Sequence, residues 1–199
     1  MTAPAKTKDY ILRFKKHLQD NYQVSETEWN LVAEYHECVA VKKNEYFVKK
    51  GRICRTLGFI AEGVMRYCMH REDGEEITCF FISENEFVGD PESFFSQKPS
   101  DKNVHALTDC VLICTPFDNM QKILKAFPGF TKIHSLIDKK VMMSLLGQRD
   151  LFYNLDATAK YQKFIENYPH ILQRVPLSYI ASFLGIKQQS LSRLRKQIS

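Results

Sequence analysis

Lys187, Gln188, Gln189, Ser190, Ser192, Arg193 and Lys196 stand within ten residues near the C-terminal end of the sequence, and no acidic residue is mixed among them. Each can hydrogen-bond a base edge or a phosphate. Gln takes adenine and Arg takes guanine bidentately, whereas Lys and Ser reach the backbone, so this is the composition of a helix that reads nucleic acid. Leu191, Leu194 and Ile198 recur through the same stretch at steps of three and four, which gives that helix an apolar inner face. Upstream, Ile180, Ala181 and Leu184 line a first short helix, Gly185 breaks it, and Ile186 plugs the gap beneath the turn. Ala181 is small where the second helix crosses the first. The spacing predicts a helix-turn-helix from Leu177 to Ile198 with Leu177, Ile180, Leu184, Leu191 and Leu194 as its core. A helical hairpin with a solvated basic face is the plainer alternative. The agreement of the small residue, the glycine and the apolar positions favours DNA.

Charge is distributed accordingly. The chain has 199 residues and a formal net charge of +5. Residues 151–199 carry 7 Lys/Arg against 2 Asp/Glu, whereas residues 1–150 carry 21 of each. All the excess positive charge lies with the predicted helix-turn-helix, which favours a polyanionic partner for that segment and not for the whole surface. With 44% hydrophobic residues the chain can fill a core. It has no apolar run long enough to span a bilayer and no charged-then-apolar leader, so a soluble cytoplasmic protein is expected, with no membrane partner.

The other residues that could do chemistry form no reactive arrangement. Cys38, Cys54, Cys68, Cys79, Cys110 and Cys114 contain no C-x-x-C pair and no Cys/His cluster, so reduced thiols, no metal and no structural disulfide are expected. His70 and His105 lack the partners expected of haem ligands. There is no nucleophile elbow or phosphate-gripping glycine loop, so no catalytic residue is assigned and an enzyme is the remotest reading.

The elements that must position these residues follow the apolar period. Tyr10, Ile11, Phe14 and Leu18 mark a helix over Asp9 to Asp20, and Ser25 with Glu28 is a capping-box signal for a second through Trp29, Leu31, Val32 and Tyr35. From Val39 short apolar runs recur: Tyr46 to Val48, Leu57 to Ala61, Val64 to Met69, Ile77 to Ile82, Phe87-Val88, Val104 to Leu107 and Cys110 to Cys114. They predict an antiparallel barrel or sandwich, with Glu72-Asp73-Gly74-Glu75 as a hairpin tip. The helical period returns over Asp118 to Ala126. After Pro128 it continues as a stripe of Phe130, Ile133, Ile137, Val141, Leu145 and Leu151/Phe152, widened by Met142, Met143 and Leu146. A small barrel cannot cover so long a stripe. Pairing with a second copy explains it most economically, with packing wholly on its own domain as the alternative. Thr158 to Tyr168 reads as another helix, stopped by Pro169.

This order of elements, with VPLSYIASFLGI followed by SLSRLRK, resembles the Crp/Fnr family of bacterial transcription regulators across nearly the whole chain, its short Bacteroidetes-type members above all. The resemblance implies an α+β chain with a cyclic-nucleotide-binding-like jelly-roll barrel and flanking helices, a long dimerisation helix, and an all-α helix-turn-helix domain. The expected boundaries are a sensor domain over 1–127, the dimerisation helix over 128–153, and a DNA-binding domain over 154–199 with no β-hairpin wing.

The family's nucleotide-binding members carry Gly-Glu after a barrel strand and an Arg-Ser/Thr pair for the cyclic phosphate. Here FVGDPESFF offers Gly89 but Asp90, and alignment on Val104-His105-Ala106 puts Ser100 and Asp101 where the phosphate-binding pair should stand. Lys98 and Lys102 flank the gap, but a loop Lys is a flexible point charge and not a bidentate clamp. The pocket is therefore expected to be degenerate and not to take cyclic AMP, and no cofactor or effector is named by the sequence. On the DNA side the resemblance places Gln188 and Gln189 where the family reads bases with Arg-Glu, keeps Arg193, and so implies an altered half-site. A homodimeric, sequence-specific DNA-binding regulator results, with RNA polymerase and a small-molecule effector as further expected partners. The rival is a small-molecule binding module whose DNA-binding unit has degenerated.

Overall fold

The computed structural model describes residues 6–71, 74–151 and 155–198. Glu72, Asp73 and Phe152 from the readings above lie outside the described residues, as do the side chains of Leu145, Leu151 and Ile198. Helix α1 (Thr7–Tyr22) turns Phe14 and Leu18 inward. Helix α2 (Glu26–Val32) starts at the expected capping box: Ser25 Oγ accepts from the Glu28 N–H at 3.2 Å, and the Glu28 carboxylate accepts the Ser25 N–H at 2.8 Å. Two donors that a helix start leaves without partners are satisfied reciprocally. Trp29 then stacks on His36 at 5.7 Å between ring centroids, sealing the helices against the strands.

The strands are β1 (Glu37–Val41), β2 (Tyr46–Val48), β3 (Thr56–Glu62), β4 (Met65–His70), β5 (Glu76–Ile82), β6 (Phe87–Val88), β7 (Asn103–Ala106) and β8 (Cys110–Pro116). They pair antiparallel in two four-stranded sheets, ordered β1-β8-β3-β6 and β2-β7-β4-β5. The expectation of a barrel is thereby corrected to a jelly roll of two sheets, since no closed ladder joins them among the described residues. The physical reason lies in the edge strands: β2 has three residues and β6 two, too few to carry a hydrogen-bonded ladder around the corner. Side chains of both sheets, including Val48, Met65, Val104, Ile60 and Leu112, share one buried cluster with α1 and α2.

Between β6 and β7 runs the short helix α3 (Pro91–Ser96), and after β8 come α4 (Phe117–Ala126) and α5 (Phe130–Leu151). Helix α5 corrects the reading of its own stripe. Phe130, Ile133 and Ile137 are buried in this chain's core with Val141 packed beside them, so the stripe thought to need a partner is covered at home from Phe130 to Val141. A different face is left open, where Leu136, Met142, Met143 and Leu146 stay 43–62% exposed. Among the described residues no helix is long and apolar enough to cross a membrane.

The C-terminal helices are α6 (Ala157–Asn167), α7 (Pro169–Leu172), α8 (Leu177–Leu184) and α9 (Gln188–Ile198). Pro169, expected only to stop a helix, also opens α7 at its first position, where no N–H is needed. Tyr161, Phe164, Ile171, Ile180, Ala181, Leu184 and Leu191 form a second core. It is shared, because Val64, Phe81 and Leu107 from the β-rich part are buried in it as well.

Candidate functional site

Gly185 adopts φ 65° and ψ 34°, a left-handed conformation that costs a side-chain-bearing residue about 1–2 kcal/mol. It lets the Ile186 N–H reach back to Ala181 O at 3.0 Å and closes α8. Lys187 then precedes α9 rather than belonging to it: its carbonyl accepts the Leu191 N–H at 3.1 Å, the first bond of the helix, which makes it the cap. Leu191 is fully buried and Leu194 half-buried against the second core. At about 100° per residue, Gln188, Gln189, Ser192, Arg193 and Lys196 fall within one sector of roughly 140° facing away from that core. Ser190 stands outside the sector and Lys187 before it, so five of the seven expected base or phosphate contacts are brought onto one face. Ser192 is half-buried and the other four are exposed. Among the described residues neither Lys187, Arg193 nor Lys196 forms an ion pair with a carboxylate.

The groove beside this face has an unexpected opposite wall. Gln188, Gln189, Ser192 and Arg193 line it from α9, while Arg71, Glu75, Glu76 and Ile77 line it from the β4–β5 hairpin. The two walls are held together through α8, by contacts centred on Arg66, which sequence reasoning passed over. Arg66 is only 1% exposed. Its Nε donates to His105 Nδ1 at 3.3 Å, one terminal nitrogen donates to Thr78 Oγ1 at 2.9 Å, and the other pairs with Glu76. The guanidinium lies 3.7 Å from the ring centroid of Tyr179 on α8. Burial pushes the Glu76 carboxyl up, but the Cys68 hydrogen bond and the Arg66 charge outweigh it and hold the group below its ordinary value. Burial, then the Arg66 charge, push the His105 imidazole down.

Three further contacts extend this latch. Ser182 Oγ accepts the Thr78 N–H at 2.9 Å, Arg174 grips Glu84 at 2.7 and 2.9 Å, and Ser83 Oγ lies 3.2 Å from His170 Nε2. Burial raises the Glu84 carboxyl, but the Arg174 hydrogen bonds and the Gly63 N–H bring it down to about 2. The signal available in the sequence was a lone arginine inside the apolar run Val64-Met65-Arg66-Tyr67-Cys68. A charge in such a run must find a partner, because an unpaired buried ion is prohibitively costly.

The expected nucleotide pocket is assembled, but its charges are turned inward. Gly89 has φ 147°, and a Cβ there would meet Leu57 Cδ2 at 2.6 Å. Tyr67 locks this backbone, its hydroxyl donating to Gly89 O at 2.6 Å and accepting from Gly89 N at 3.1 Å. Asp90 is buried and caps α3, and Ser100 Oγ donates to its Oδ2 at 2.6 Å. Lys102 Nζ lies 3.5 Å from Asp90, 3.5 Å from Asp101 and 3.9 Å from Glu92. Burial pushes the Lys102 ammonium down, but the charges of Asp90 and Asp101 outweigh it and hold the group above its ordinary value. Three carboxylates thus surround one ammonium where the family pattern has an arginine and a hydroxyl. Lys98, the other flanking cation, is exposed. These residues do not fit a cyclic phosphate, which would need a paired cation or convergent N–H donors once water is excluded.

The six cysteines are thiols, and those in the strands have their acidity suppressed by burial, Cys68 and Cys114 to about 12. No group of three or more His, Cys, Asp or Glu side chains suited to a metal ion occurs among the described residues.

Residues 38–127 match the cyclic nucleotide-binding domain family. The fold is similar to that of the c-di-GMP-responsive global regulator CLP of Xanthomonas campestris, with TM-score 0.68 and 15% identity over 87% of this chain and 91% of that one. It is similar to FixK2 from Bradyrhizobium japonicum, with TM-score 0.67 and 12% identity over 82% and 84%. A structure described as a transcriptional regulator of the Crp/Fnr family, from Eubacterium rectale, aligns with TM-score 0.65 and 15% identity over 92% and 87%. No curated protein matches the sequence. At such identities the likeness is one of fold.

Proposed function

We propose that this chain, which carries a cyclic nucleotide-binding domain over residues 38–127 and has the fold of the Crp/Fnr-family transcription regulators, acts as a homodimeric, sequence-specific DNA-binding regulator that does not answer to cyclic AMP. The observation that carries this reading is the outward face of α9. Gln188, Gln189, Ser192, Arg193 and Lys196 share one sector with no acid among them, on a helix anchored by buried Leu191. Gln and Arg are the side chains that take adenine and guanine edges bidentately, and Lys196 reaches phosphate. The exposed apolar face of α5 supports pairing with a second copy, each fully buried Leu or Met contributing about 1.5–3 kcal/mol. Two copies of α9 would then meet half-sites about 34 Å apart on one side of the duplex.

In this reading the Arg66 latch couples the sensor to the reader. It holds α8 against β5, and α8 in turn sets where α9 points. An effector acts only by preferring one arrangement of these contacts to another. The test is selection of bound duplexes from a random-sequence pool at near-physiological salt. A two-fold palindrome with half-sites one turn apart is the expected product. Tight small-molecule binding with no enrichment of any sequence would instead mean that the DNA-reading unit has degenerated. Met143→Lys, on the open face of α5, is expected to convert a dimer to a monomer in light scattering. An unchanged mass would remove that face from the interface.

A further inference from the structure

A cavity of about 640 Å³ lies between the strands and α5, within the range of small-molecule sites. Its walls are mostly carbon and sulfur, contributed by Leu57, Phe59, Cys79 and Phe80 from the strands and by Phe130 and Ile137 from α5. Most polar groups on its rim are engaged with one another, whereas the buried Nε2 of His36 has no hydrogen-bond partner among the described residues. Tyr67 holds Gly89, Ser100 and Lys102 hold Asp90, and His134 lies 2.9 Å from Asp138. His36 is anchored to Thr115 at 2.8 Å, and burial keeps its ring neutral by pushing it down to about 4. The acidic side chains on the walls, Asp90, Glu92 and Asp138, outnumber the one lysine, Lys102.

Water in so apolar a space finds few partners on the walls and is readily displaced by an apolar molecule. An anion entering it would lose hydration and find only a lysine already shared by three carboxylates. We infer that the cavity takes an uncharged, mainly apolar organic molecule, and that this molecule, in place of a cyclic nucleotide, is the effector. The inference rests on the regulator reading only for the word effector. The binding chemistry stands apart from it. Because the cavity is bounded by α5, whose outer face is the proposed dimer contact, an occupant would reach the dimer through Ile137 and Val141.

The experiment is a titration of the full chain with a matched pair of fluorescent probes, N-phenyl-1-naphthylamine, which is uncharged, and 8-anilinonaphthalene-1-sulfonate, which adds a sulfonate to the same carbon body. Saturable binding of the neutral probe, one per chain, is expected, with the sulfonate at least about tenfold weaker. Cys79→Phe, which fills the cavity, is expected to weaken the neutral probe by about tenfold or more. If circular dichroism shows that Cys79→Phe does not fold, Val141→Trp fills the cavity from the α5 side and is read the same way. Sulfonate binding as tight as the neutral probe, neutral binding indifferent to filling, or no binding of either probe overturns the inference. Probe binding without any selection of DNA sequence would overturn the regulator reading and leave the cavity's ligand class standing.

Discussion

The outer face of α9 and the rim between Gly89 and Lys102 are the two places where the sequence led us to expect phosphate, and they treat positive charge in opposite ways. On α9, Arg193 and Lys196 point outward with no carboxylate paired to them among the described residues. On the rim, Lys102 is shared among Asp90, Asp101 and Glu92. Arg66 and Arg174 follow the rim's pattern, each bound to a carboxylate of the β4–β5 region. Cations already neutralised from within hold the fold together, whereas cations left unneutralised on a rigid helix are available to an external polyanion. The number of basic residues does not separate the two cases; the acids beside them do.

The contrast can be broken or sharpened by substituting one member of each class. Arg66→Ala is expected to have the largest effect, about 3–5 kcal/mol of lost stability in chemical denaturation, since it strands Glu76 without its cation and removes the platform under Tyr179. A change within experimental error would mean that the latch is ornamental. Arg193→Ala is expected to leave the melting temperature unchanged and to cost about 1–3 kcal/mol on a selected duplex, with a smaller loss on random DNA. Equal losses on both duplexes would place its contact on phosphate. Ser100→Arg combined with Asp101→Ser restores the family's cation and removes one acid. Calorimetry should then show cyclic AMP binding strengthened by about tenfold or more over the unmodified chain. No gain would show that charge is not what disqualifies the rim. Lys196→Ala should act least, lowering the salt slope of DNA binding by about one.

Much of this arrangement could be read from local patterns. The capping box at Ser25 and Glu28, the breaks between strands and the turn at Gly185 all depend on residues a few positions apart, and the structure has them where period and turn chemistry put them. Three features depend on contacts that no window contains. The Arg66 latch joins β4, β5 and β7 to α8, with Thr78 bonded to Ser182 104 residues later. The inward stripe of α5 could not be told from its outward one, because both are apolar and only the packed strands decide which is covered. The barrel reading failed for a similar reason, since strand runs reveal alternation but not whether the edges meet. The pocket lay between these cases. The absence of an arginine near Ser100 was visible in sequence, whereas the engagement of Lys102 by three carboxylates required the fold.

In the proposed regulator α9 reads sequence while the strand-bounded cavity ignores cyclic phosphate. The most direct measurement is fluorescence anisotropy of the full chain on a selected duplex and on a scrambled one at fixed salt, each with and without millimolar cyclic AMP. A preference of about a thousandfold or more for the selected duplex is expected, unmoved by the nucleotide. Equal affinity for both duplexes, or a preference that emerges only when cyclic AMP is added, would contradict it.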